Sequence, residues 1–491
     1  MVSVFGIWAE MSNASQFIVV LTIINIAVAI TAIVLERHHP SAAVAWIMVI
    51  FMLPVIGVIL YFLLSQNVAR RRIFKLTRFE EETIDGSLDV QIKEIAGGNY
   101  KFSTAEGKLW KDMVHLNQVY GKAFYTQNNR VTMMTDGNHM MKSLMEDIKN
   151  AQNTINIMFF IIKDDVVGRK LVDALTEKVK QGVEVRLLMD SMGSRQINDK
   201  VLSRFLRAGG KRSYFFPRKL KLFNIKFNYR NHRKLAVIDG EIGYIGGFNV
   251  GREYLGRKKK FGYWRDTHLR VTGQSVQDIN ARFILDWRFS SKEDIILSEA
   301  YYSEVINAGN TGIQIVSSGP DSLREEVKRA FMKMITSAEK RIYIQTPYFV
   351  PDGSILESLK MAAQCGVDVR LMIPCKPDHP FVYWATLAYA GELINSGGKV
   401  YIYEKGFLHA KTMVVDGEVG TIGSTNFDRR SFSLNFESNA FIFDKEEAYK
   451  MEAIFESDMN DCKELTRALY KKRGIFTKIR EVVARLLSDL L

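Results

Sequence analysis

Cysteine is scarce in this chain: Cys365, Cys375 and Cys462 are three among 491 residues. The number is odd and no C-x-x-C pair occurs. That argues against a disulfide scaffold or a cysteine zinc cluster, and fits thiols kept reduced. No G-x-x-x-x-G-K-[ST] loop and no H-E-x-x-H pair occurs, so neither a P-loop phosphate cradle nor that helical zinc site is written here. Acidic residues are outnumbered, 54 against 67 basic, leaving a net charge of +13. Such a balance calls for an anionic partner, nucleic acid or an anionic membrane surface, without choosing between them. Hydrophobic residues at 47% and aromatics at 11% allow a large core, and 491 residues suffice for two or three domains.

Charge is missing altogether from two early runs, 19 residues at 17–35 and 23 residues at 42–64. At about 1.5 Å per helical residue, each can cross a hydrocarbon core of roughly 30 Å. No basic residue precedes the first run and a second run follows it, unlike a cleaved signal peptide. Arg70, Arg71, Arg72 and Lys75 follow the second run. The positive-inside rule puts that side in the cytoplasm. The direct expectation is a hairpin of two transmembrane helices over 1–66, with the rest of the chain at the cytoplasmic face of the cell membrane. Buried core helices, or a run that dips in without crossing, are the other readings of the same pattern.

A basic and then polar stretch, 67–127, reads as a juxtamembrane connector. Beyond it the pattern becomes β/α. TINIMFFII, from Thr154, is a candidate buried strand. Residues 168–181 carry Leu171, Ala174, Leu175 and Val179 at helical spacing; Gly182 ends that helix and VEVRLLMD is the next strand. RIYIQTPYFV from Arg341, a helix over 354–365, Gly366 and VDVRLMI repeat the order. GVEVRL and GVDVRL lie 184 residues apart. The expectation is two tandem α/β domains, 128–300 and 301–491, each a mixed sheet flanked by helices.

The duplication reaches the polar residues. NHRKLAVIDGEIGYIGGFN starts at Asn231, and LHAKTMVVDGEVGTIGSTN starts at Leu408. Both spell H-x-K-x4-D-x6-G-x2-N, a coincidence too specific to arise twice by chance. Along a strand, residues two apart share a face, so His232 projects with Lys234 and His409 with Lys411. Asp239 and Asp416 fall at Asp-Gly-Glu hairpin turns. Small residues before Asn249 and Asn426, Ser424 among them, let backbone and amide approach an anion closely. If the two copies meet, one pocket holds two histidines, two lysines and two asparagines. Lysine and asparagine can neutralise and bind the non-bridging oxygens of a phosphodiester. One histidine can attack phosphorus while the other protonates the leaving alkoxide. Such a site needs no metal and no cofactor. His115, His139, His268 and His379 lie outside the motifs and read as structural or surface residues.

These paired motifs resemble the HKD motifs of the phospholipase D superfamily. The likeness extends over nearly the whole chain. HPSAAVAW at 39–46 and LPVIGVILY at 53–61 resemble the membrane hairpin of bacterial cardiolipin synthases, as do NYRNHRK at 228–234 and STNFDRRS at 424–431. The resemblance implies two phospholipase D-like domains sharing one site. It implies transfer of a phosphatidyl group from one phosphatidylglycerol to another through a phosphatidyl-histidine, giving cardiolipin and glycerol. His232 would then be the nucleophile and His409 the acid and base, an assignment that the residues alone leave open. Lys234, Lys411, Asn249 and Asn426 would hold phosphate, and Asp239 and Asp416 would be structural partners within the catalytic motif. Glu437 and, less directly, Asp266 are candidates to orient the histidines. Asp266 lies 17 residues after its motif asparagine, against 11 for Glu437.

A hydrolase with water as acceptor has the same motifs. A nuclease fits them and the charge, but two membrane runs weigh against nucleic acid. Basic residues crowd the first motif (Lys211, Arg212, Arg218, Lys219, Lys221, Lys226, Arg230 and 257–260). They read as a solvated face or as a collector of anionic lipid headgroups. The C-terminal 466–491 stretch is a basic amphipathic helix, which fits a membrane surface or packing on its own domain.

Overall fold

The computed structural model describes residues 12–35, 40–64, 73–74, 76–216, 229–293, 295, 307–322, 324–376 and 378–488. They fall into two units, one containing 1–70 and the other 71–217 with 230–488.

In the first unit, α1 (Asn13–Leu35) is a 23-residue apolar helix, about 34 Å long at 1.5 Å per residue. Its Asn13–Thr31 stretch has a mean hydropathy of 2.1, and it is the one described helix long and apolar enough to cross a membrane. The second apolar run differs from the expected single span. It is two helices, α2 (Pro40–Met52) and α3 (Pro54–Leu64). Pro54 has no amide hydrogen to continue the helix and disfavours helical backbone at Leu53, so the run breaks there.

The second unit begins with α4 (Arg78–Ala96), whose Thr77 and Glu80 form a capping box, and α5 (Lys111–Gly121). Sequence assigned this stretch to a connector. Instead Ile95, Trp110, Met113 and Val114 join the core of the second repeat. The Thr104 hydroxyl donates to the Phe443 carbonyl at 2.8 Å, and Trp110 Nε1 donates to Glu418 at 3.1 Å.

The first repeat contains β1 (Thr126–Asp136), α6 (Gly137–Asn150), β2 (Thr154–Phe159), α7 (Val166–Lys180), β3 (Glu184–Asp190), β4 (Lys211–Phe215), β5 (Arg230–Asn231), β6 (Leu235–Ile238), β7 (Ile242–Gly246), β8 (Tyr263–Gly273) and α8 (Ser275–Ser291). The second contains β9 (Thr311–Ser318), α9 (Glu326–Thr336), β10 (Arg341–Gln345), α10 (Gly353–Gln364), β11 (Asp368–Pro374), α11 (Pro380–Asn395), β12 (Lys399–Tyr403), β13 (Gly406–Leu408), β14 (Thr412–Val415), β15 (Val419–Gly423), β16 (Asn435–Phe443), α12 (Lys445–Met459), β17 (Cys462–Glu464) and α13 (Ile475–Ser488).

Each repeat builds a mixed sheet to one plan. β4–β3–β2 run parallel, and β6, β7, β8 and β1 follow antiparallel. β12–β11–β10 run parallel, and β14, β15, β16 and β9 follow antiparallel. β1 pairs with β9, Thr126 opposite Ile313, and joins the two sheets. Along the parallel strands Ile155, Ile157 and Leu187 lie on one face and cluster with Leu171 and Leu175 of α7, all wholly buried, while the opposite face buries the polar Asn156 and Arg186. Fully burying each such apolar side chain contributes about 1.5–3 kcal/mol.

The motif was expected to lie on one uninterrupted strand. In the structure that strand changes partners at the His-x-Lys step. β13 pairs with β8 of the first repeat and β14 with β10 of the second. Likewise β5 pairs with β16 of the second repeat and β6 with β2 of the first. α13 packs on α11 through a narrow strip: Ala484 is buried and the hydroxyls of Tyr389 and Ser488 lie 3.2 Å apart. Its apolar face, with Phe476 76% and Leu486 74% exposed, points away from the domain.

Candidate active site

The change of strand partner positions the histidines. His232 N donates to the Phe436 carbonyl at 2.9 Å, which lays the first motif beside the strand carrying Glu437. His409 N donates to the Arg265 carbonyl at 2.7 Å, which lays the second beside the strand carrying Asp266. Each histidine therefore meets a carboxylate from the other repeat. His232 Nδ1 lies 3.0 Å from both Glu437 oxygens and 3.1 Å from the Ser424 carbonyl. His409 Nδ1 lies 2.6 Å from Asp266 Oδ2. Asp266 and Glu437 are thus structural equivalents. Their unequal sequence spacing comes from the Arg252–Leu255 turn and the loop after it, extra chain between Asn249 and β8. An acceptor on Nδ1 holds its proton there and leaves Nε2 as the reactive nitrogen.

The two histidines and two lysines named from sequence gather in one buried place with Asp266 and Glu437. Lys411 Nζ lies 2.8 Å from His409 Nδ1, and Lys234 Nζ donates to the His232 carbonyl. The charges interact across the repeats: Lys411 lowers the His232 pKa and Lys234 lowers that of His409. Burial is the largest cause throughout. It pushes Lys234 down to about 7 and Lys411 to about 8. His409 falls to about 4, by burial and then Lys411, against the opposing pull of Asp266. His232 is also lowered, with burial outweighing Glu437. Burial raises Glu437 and Asp266, but the facing histidines and lysines more than offset it, and both stay below the ordinary carboxylate range. Without substrate, both imidazoles are neutral at pH 7 and the lysines are poised to lose their protons. An arriving phosphodiester supplies the missing negative charge.

The remaining named residues are less uniform. Asn249 Oδ1 accepts from Ile161 N at 3.0 Å, while Asn426 Oδ1 is buried with no hydrogen-bond partner among the described residues. The Ser424 hydroxyl accepts from Ser438 N at 3.0 Å and helps to lower Glu437 through a side-chain hydrogen bond, while the Ser424 carbonyl lies 3.1 Å from His232 Nδ1. Asp239 and Asp416 are not brought to the histidines. They sit at positive φ, 53° and 57°, at the far end of β6 and β14. Asp239 accepts from the amides of Gln152, Asn153 and Thr154, and Asp416 from those of Glu339, Lys340 and Arg341, at 2.7–2.9 Å. Each holds the segment entering the central strand of its own repeat. The small residues also serve packing: a Cβ on Gly247 would lie 1.9 Å from Asp266 Oδ1, so that space holds the Asp266 carboxylate rather than a substrate phosphate. His268 is wholly buried and neutral, burial pushing it down to about 3, which fits a structural residue.

Sequence reasoning missed Arg233, which is 1% exposed. It pairs with Asp286 at 2.8 Å and donates to the Glu437 carbonyl at 3.1 Å and the Ser438 hydroxyl at 3.0 Å, fixing the strand that presents Glu437. The signal was the mismatch between the copies, His-Arg-Lys against His-Ala-Lys. Phe160 and Trp264 also escaped notice; each ring lies 5.1 Å from one histidine, His232 and His409 respectively. Of the basic residues near the first motif, Arg218, Lys219, Lys221 and Lys226 lie outside the described residues.

Comparison with known proteins shows the family and the fold. The family model described as "Cardiolipin synthase, PLD-like domain" matches residues 144–287 and 331–459, and the model "Phospholipase_D-nuclease N-terminal" matches 20–66. The chain is 46% identical over 469 residues to a cardiolipin synthase of Oceanobacillus iheyensis, covering 96% of this chain and 98% of that one. It is 45% identical over 482 residues to a cardiolipin synthase of Listeria monocytogenes, covering 98% and 100%. A phosphatidylserine synthase of Haemophilus influenzae shares the fold, with a TM-score of 0.60 at 14% identity, over 77% of this chain and 96% of that one.

Proposed function

This chain belongs to the cardiolipin synthase family of phospholipase D-like proteins, and from that premise we propose that it joins two phosphatidylglycerol molecules into cardiolipin and releases glycerol. The observation that carries the mechanism is the pair of crossed contacts, His232 with Glu437 and His409 with Asp266. In the first half-reaction His232 Nε2 attacks phosphorus and the bond to the headgroup glycerol oxygen breaks. His409 gives that oxygen its proton. In the second half the terminal hydroxyl of another phosphatidylglycerol gives its proton to His409 and attacks phosphorus, and the bond to His232 breaks. Lys234, Lys411, Asn249 and Asn426 hold the non-bridging oxygens.

The lysines do the charge neutralisation that a divalent ion does in other phosphoryl enzymes, which supports a metal-independent reaction. Imidazole and lysine charges are coupled, so phosphate binding eases protonation of His409 for its acid role. The basic run 70–72 supports a catalytic body at the cytoplasmic face. The outward apolar face of α13, with Lys471, Lys472, Lys478 and Arg480 near it, lies against the anionic lipid surface.

The test is purified full-length protein given phosphatidylglycerol alone in chelator, with products read by mass spectrometry. Cardiolipin with equimolar glycerol is the expected result. Phosphatidic acid without cardiolipin would make water the acceptor and the protein a phospholipase. Activity restored only by a divalent ion would overturn the metal-independent mechanism.

A further inference from the structure

The apolar segment after α1 folds back on itself. The rings of Trp46 in α2 and Tyr61 in α3 meet edge to face with centroids 5.6 Å apart. In a continuous helix, residues fifteen apart would be separated by about 22 Å. A Cβ on Gly57 would lie 2.7 Å from Ile50 Cα and 2.8 Å from the Val49 carbonyl oxygen, so only glycine lets the two backbones approach so closely. The pairs 46 with 61 and 50 with 57 step in opposite directions, so α2 and α3 are antiparallel.

Neither arm is long enough to cross. Thirteen and eleven residues reach about 20 Å and 16 Å, against a hydrocarbon core of roughly 30 Å. The tip suits a position inside lipid. Leu53 N donates to Val49 O at 2.9 Å and Gly57 N to Leu53 O at 2.5 Å, and Pro54 has no amide hydrogen to satisfy. Phe51, Met52 and Leu53 at the tip are exposed and apolar, as are Met48, Ile56 and Ile59 on the arms. The hairpin packs on Ile26 and Ala29, in the later half of α1, through Trp46, Ile50, Val58 and Tyr61. Phe17, Ile18, Leu21 and Ile24 in the earlier half remain exposed. Such an arrangement fits a hairpin that reaches only part-way along a helix crossing the whole bilayer.

We propose that residues 40–64 form a re-entrant hairpin that enters and leaves the bilayer at one face, with α1 as the crossing helix. α1 then begins at one face of the bilayer, and its end and both ends of the hairpin lie at the other. The distribution of charge supports this independently. No Lys or Arg occurs in 1–16, whereas Arg37 between α1 and α2 and Arg70, Arg71 and Arg72 after α3 now share one face. Two full spans would place Arg37 outside and the stretch without Lys or Arg inside, against the positive-inside rule.

The test is sidedness in intact bacterial cells expressing the full chain, in which Cys365, Cys375 and Cys462 are replaced by serine. Single cysteines are returned as Ser3→Cys, His38→Cys or Asn67→Cys, and a membrane-impermeant maleimide is added before or after permeabilisation. The expected result is external labelling at position 3, with 38 and 67 labelled only after permeabilisation. Labelling of position 38 from outside with 3 protected would establish two full spans and overturn the proposal. No external labelling at any of the three would also overturn it, by placing α1 itself on one face. Cardiolipin formation by the same variants is measured separately, so loss of the enzymatic reading leaves the topology result standing.

Discussion

Lys234 and Lys411 carry the sharpest consequence at the scale of single residues. Burial lowers them to about 7 and about 8, so as pH rises through those values the free enzyme loses the charges that attract a phosphodiester. Deprotonation precedes binding and is opposed by it. The KM for phosphatidylglycerol should therefore rise with pH through that range, approaching about tenfold per pH unit for each lysine that must be charged, while kcat changes less. Initial rates in mixed micelles across the range check this, and a flat KM would show that the lysines do not hold substrate. His409 works at the other end. Its folded value of about 4 lies below the unfolded value of about 6.5, so the unfolded state takes up the proton first. Stability should fall as pH drops from about 6.5 towards 4. The motif residues were legible one by one because their chemistry and repetition stand out. Arg233 was not, because its partners Asp286 and Ser438 are 53 and 205 residues away.

At the scale of elements, periodicity found strands and helices to within a few residues wherever one partner covers the element along its length. It gave the helix Val166–Lys180 and the strand Glu184–Asp190 closely. It failed where an element changes partner, as at His232–Lys234 and His409–Lys411, because nothing in a period-2 pattern records which strand lies alongside. α13 is the opposite case: its pattern was clear but could not say which face the domain would take. The domain takes the strip with Ala484, leaving Phe476 and Leu486 outside. Replacing both by aspartate (Phe476→Asp with Leu486→Asp) should reduce activity on anionic vesicles by about 10²-fold or more, since each apolar side chain contributes about 1.5–3 kcal/mol when it leaves water. Activity in detergent micelles should be unchanged. Equal loss in both would show that the face packs within the protein.

At the scale of the molecule, the joined sheets make one chain supply both halves of the site. His232→Ala and His409→Ala should each lower activity by at least about 10²–10⁴-fold. Mixing the two purified variants should restore nothing, because each histidine is oriented by the opposite repeat of its own chain. Restored activity on mixing would mean that repeats pair between chains. The stretch 67–127 also belongs to this scale. Its helices bury Met113 and Val114 in the core of the second repeat, a role that a polar composition does not announce.

The sequence by itself determined the duplication, the two α/β repeats, the pair of histidines and lysines, and the apolar start, because composition, spacing and period are local properties of a chain. Tertiary structure alone decided the rest. It matched Asp266 with Glu437 despite unequal spacing, sent Asp239 and Asp416 to hold backbone amides, and turned the second apolar run back at Pro54. Each of these depends on which distant segment fills the space beside a residue, and that is set by packing across the two repeats or between helices.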